Sequence, residues 1–130
     1  MGIQFIHSIM HRFMRFFTVI MLMVAAVVFS ASAAPSLTED DSRFLNDAIN
    51  EGIPMLYVIP ATMNAGIFHG DDAAIASISQ EQTAALDAFI AKINGYTLSD
   101  DVKAVRDQFI SAGDLYKKDL AEYSTLNKSC

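Results

Sequence analysis

Apolar residues recur in steps of three and four over the second half of the chain, and that period decides the fold class. Between residues 71 and 95, Ile75, Ile78, Gln82, Leu86, Phe89 and Ile93 fall on one line of a helix. Ala85 and Ile90 widen the line, and Gly95 after Asn94 reads as a left-handed stop. Beyond YTLSDD the period resumes with Val102, Val105, Phe109, Ala112, Tyr116 and Tyr123, with Leu120 beside them. Arg106, Asp107 and Asp119 are expected on the wet side, and Tyr116 and Tyr123 at the core edge with hydroxyls in water. Ser99 is the expected cap; Asp100 and Asp101 meet the positive end of the helix dipole, and Lys117 and Lys118 lie toward the negative one. No alternating β-branched run competes, since the one short candidate, LYVI, is hemmed by prolines.

The same grammar opens the segment at 36–52. Ser36 and Glu39 stand at capping-box spacing, with Thr38 as an alternative cap. Glu39, Asp40 and Asp41 fill the first turn, so helix-start chemistry accounts for an acidic triplet that otherwise resembles a metal cluster. Phe44, Leu45, Ala48 and Ile49 form the inward stripe, and Gly52 is placed at the helix end. The following stretch, 53–70, is the most apolar outside the N-terminal run. Pro54 suits a first helical turn, and Pro60 is expected to kink or break the helix. This segment reads as a buried central helix, with Met55, Tyr57, Ile59, Met63 and Ile67 as a candidate face for a protein partner or for self-association. Short connections between three or four such segments predict an all-α fold, a small antiparallel up-and-down helical bundle over residues 34–126. Residues 127–130 read as a flexible tail.

The N-terminus has a different logic. Arg12 and Arg15 occur with no acid in the first fifteen residues, residues 16–29 carry no charge, and SASAAPS follows. Basic, apolar and small-residue regions in this order predict a signal peptide over residues 1–33. Cutting after Ala33 puts Ala31 and Ala33 at the two positions that need small side chains. Cutting after Ala34 would set Pro35 against the scissile bond. The alternative is an uncleaved single-pass anchor through residues 13–34, thin for a span of ~20 apolar residues. Either way the domain is expected outside the cytoplasm, secreted or in the periplasm or cell envelope.

Removing the leader leaves 97 residues, seven basic against fifteen acidic, for a net charge of −8. So acidic a domain repels phosphates, which argues against nucleic acid as a partner. The single cysteine, Cys130, excludes an internal disulfide; it reads as a free thiol on the tail, with an intermolecular disulfide as the alternative. Asn127 opens an Asn-Lys-Ser glycosylation sequon. His69, Asp71 and Asp72 are the only metal candidates singled out, and their spacing across Gly70 is poor for a site. No phosphate-binding glycine loop, Gly-x-Ser-x-Gly elbow or Cys-x-x-Cys-His occurs, so no catalytic residue and no cofactor is expected. The reading is a non-catalytic interaction or structural protein of the cell envelope or exterior. The alternative is a small-ligand or cation-binding module, similar in architecture alone to the extracytoplasmic sensing modules of bacterial and archaeal receptors.

Overall fold

The computed structural model describes residues 11–12, 14–15, 18–23, 25–26, 37–69 and 72–125. Between residues 37 and 125 the chain forms four α-helices and, among the described residues, no strand. Helix α1 spans Glu39–Asp47 and continues through a π-helical turn, Ala48–Gly52, into α2, Ile53–His69. Helix α3 spans Asp72–Asn94 and α4 spans Asp100–Tyr123. Ala31, Ala33, Ala34, Asp71, Asn127 and Cys130 lie outside the described residues.

Helix α1 starts on a capping box built from Thr38 rather than Ser36. Asp41 N–H donates to Thr38 Oγ1 at 3.0 Å, and Thr38 N–H donates to Asp41 Oδ2 at 3.2 Å. Gly52 does not end the helix. It is buried in the π turn, where an added Cβ would stand 2.6 Å from Phe109 Cε1 and 2.8 Å from Phe89 Cζ. The glycine is there for room. The wider winding of a π turn also shifts the register of the inward stripe. Ala48 and Gly52 therefore face the core, and Ile49, expected inside, is 45% exposed.

Pro60 neither ends nor interrupts the assigned helix: α2 runs through it. Proline has no N–H to donate to the carbonyl four residues earlier, that of Leu56. Tyr116 Oη in α4 donates to that carbonyl at 2.9 Å in the buried interior. A side chain 60 residues away thus supplies a donor where the proline removes one.

The elements meet in opposed and aligned directions. Lys117 pairs with Asp87 at 2.8 Å, Ser79 Oγ donates to the Leu120 carbonyl at 2.9 Å, and Ile90 lies over Gly113, so α3 and α4 run oppositely. The α1–α2 rod runs alongside α4 in the same sense, with Asp41 meeting Ser99, Gly52 meeting Phe109 and Gly66 meeting Tyr123. Phe109 joins the layers edge-on, 6.3 Å from Phe44 and 5.8 Å from Phe89 between ring centres.

The α3–α4 turn is fastened by acids of α1. Asp40 accepts Thr97 N–H at 2.8 Å, Asp41 accepts Ser99 N–H at 2.9 Å, and Asp47 accepts the Tyr96 hydroxyl. Lys92 reaches both Glu51 and Asp47. Gly95 closes the end of α3 by a bond to the Lys92 carbonyl and does not adopt the expected left-handed φ. Ser99 occupies the N-cap of α4 without a side-chain capping bond; its N–H is bound to Asp41.

Candidate functional site

Two places in the fold hold side chains in unusual surroundings. The first is the outer side of α2. Residues 52–68 contain no Asp, Glu, Lys or Arg, so this helix is uncharged on every side and apolar but for Thr62 and Asn64. Leu56, Ile59 and Met63 enter the core, at 4%, 0% and 3% exposure, and Met55 and Ile67 pack partly against it. Of the five residues singled out in the sequence, Ile59 and Met63 are therefore interior, and only Tyr57 is freely exposed. The outward stripe is Pro54, Tyr57, Val58, Ala61, Ala65 and Phe68, spaced by three and four. Tyr57 is 72% exposed and Phe68 81%, with two alanines between them. Periodicity could not have separated inner from outer here, because both faces are oily.

The second place is near the C-terminal end of α4. Asp119, expected in water, has no exposed surface. Burial raises its pKa, Glu122 adds to the rise, and the cations of Arg12 and Lys118 oppose it. Arg12, from the N-terminal segment, brings Nη2 to 3.2 Å from Asp119 Oδ1. The approach is out of line for a hydrogen bond. Both Asp119 oxygens and Arg12 Nε are left without a hydrogen-bond partner among the described residues. Further along the same segment, which is helical where described, Ile20 is fully buried in the core and Met23 packs against it. Sequence reasoning missed this pair because each member taken alone has an ordinary explanation: Arg12 as the basic part of a leader, Asp119 as surface.

Tyr116 and Tyr123 also depart from expectation, since both are wholly buried. Burial pushes both phenols up, and for Tyr116 the Asp119 charge adds to the effect. The Tyr123 hydroxyl has no hydrogen-bond partner among the described residues and lies where a Cβ on Gly66 would sit.

The acids of α1 are occupied as hydrogen-bond acceptors. Asp41 is the clearest case: burial would raise its pKa, but bonds from Ser99 and Thr38 outweigh it and hold the carboxyl below its usual range. Asp72 is exposed at the start of α3, and no group of three or more metal-ligating side chains occurs among the described residues. No helix among them is long and apolar enough to cross a membrane. No protein-family model, curated protein or solved structure matches the chain.

Proposed function

We propose that this protein is an exported acidic up-and-down helical bundle, cut after Ala33, that serves as a non-catalytic interaction or structural protein of the cell envelope or exterior. Its docking surface is the outer stripe of α2, from Pro54 to Phe68. The single observation that supports the reading is the exposure of Tyr57 and Phe68 on one uncharged face. Large apolar side chains grouped this way mark interaction sites more often than isolated ones do. The location also suits a strongly acidic chain, because the stripe is a face on which no carboxylate opposes approach. A second copy satisfies that condition as well as any other partner does.

Light scattering on the full chain at micromolar concentration, under reducing conditions, tests this. The expected result is a dimer or larger species that Tyr57→Asp and Phe68→Asp each convert to monomer. A wild-type monomer that stays alone when passed over a native envelope extract would refute the surface.

A further inference from the structure

Asp119 is fully buried, and among the described residues the one cation in contact with it arrives from outside α1–α4. The other groups that bear on it are Lys118 and Glu122 of its own helix and the Tyr116 phenol. A carboxylate kept from water needs a partner that is both charged and rich in donors. A guanidinium fits best, since its planar fork can serve both oxygens at once, whereas an ammonium is a point charge. Arg12 meets the charge requirement and falls short on geometry: it approaches one oxygen, misaligned, and leaves its own Nε orphaned.

We propose that Asp119 is a binding site for a guanidinium group, filled from within by Arg12 while the N-terminal segment is attached and open to a guanidinium-bearing ligand once that segment leaves. The timing of the opening rests on the export reading given above. The site itself does not, and it lies apart from the α2 stripe.

Chemical rescue of the full chain decides the matter. Arg12→Ala removes the internal occupant and is expected to lower the thermal midpoint by several degrees. Ethylguanidinium at millimolar concentration should restore most of that loss along a saturable curve. Ethylammonium and sodium at equal ionic strength should not. In the Arg12→Ala/Asp119→Asn double variant the ethylguanidinium effect should vanish. N-acetylarginine amide, run beside ethylguanidinium, distinguishes the arginine of a protein partner from a free alkylguanidine by which binds more tightly. If Arg12→Ala does not fold, the same titrations are read as recovery of helical circular dichroism. No saturable rescue, or rescue that survives Asp119→Asn, would overturn the proposal. Failure here leaves the oligomeric state on which the α2 surface depends untouched, so the two ideas fall separately.

Discussion

Replacing Tyr116 by phenylalanine tests the packing argument around Pro60. The change removes one oxygen from a fully buried ring and little else in shape. What it takes away is the donor to the Leu56 carbonyl at 2.9 Å, a group whose usual helical donor is missing because residue 60 is proline. A net hydrogen bond contributes about 1 kcal/mol, and leaving a buried carbonyl unmet costs about 1–3 kcal/mol. Tyr116→Phe should therefore cost about 2 kcal/mol, or roughly 8 °C in a domain of this size. The decisive comparison is with Pro60→Ala. Alanine restores an N–H four residues after Leu56, so the carbonyl has a donor whether or not Tyr116 keeps its hydroxyl. In that background Tyr116→Phe should cost well under about 1 kcal/mol. The four proteins make a double-mutant cycle, measured by urea unfolding followed by circular dichroism. A coupling energy within about 0.3–0.5 kcal/mol of zero, the range of independent sites, would refute the compensation.

Two further outcomes follow from buried groups. Gly66→Ala should lose about 2–3 kcal/mol, because its Cβ would fall 2.0 Å from Tyr123 Oη and 2.9 Å from Ile78 Cδ1. Tyr123→Phe should be neutral or slightly stabilising, since the hydroxyl it deletes is unpartnered, and should recover much of the Gly66→Ala loss in denaturant midpoints. The two buried aspartates should respond oppositely to acid. The lowered pKa of Asp41 gives stability present above about pH 4 and lost as pH falls through its folded value; Asp41→Asn should be destabilising at pH 7 and lose that penalty in acid. The raised pKa of Asp119 gives stability fully present below about pH 4 and lost as pH rises through its folded value. Asp119→Asn should accordingly be more stable than wild type at pH 7 and lose that advantage in acid, as read from unfolding midpoints across pH 3–7.

The α3 and α4 stripes were legible because each helix buries one side only, so hydrophobic spacing and burial coincide at Ile75, Leu86, Phe89, Val102, Val105 and Phe109. Capping chemistry was legible too, displaced by two residues, because Ser36, Thr38, Glu39 and Asp41 all suit a helix start. Gly52 was misread for a reason that no local rule corrects. A glycine that stops a helix and a glycine that lets two phenylalanines approach look identical until the partner helix is in place. Pro60 is a similar case, since what accommodates it lies on α4. The face of α2 was misjudged because an evenly oily helix has no moment to read. Asp119 escaped because the cation that meets it, Arg12, comes from a distant segment that reads in sequence as the basic part of a leader.

Asp41 joins the beginning of the bundle to its last turn: one carboxylate caps α1 through Thr38 and also holds the amide of Ser99. The cap is made locally by Thr38 and Asp41, and the turn between α3 and α4 adds the amides of Thr97 and Ser99 to the acids beside it. One side chain thus fastens the first turn of α1 to a loop 58 residues further along the chain.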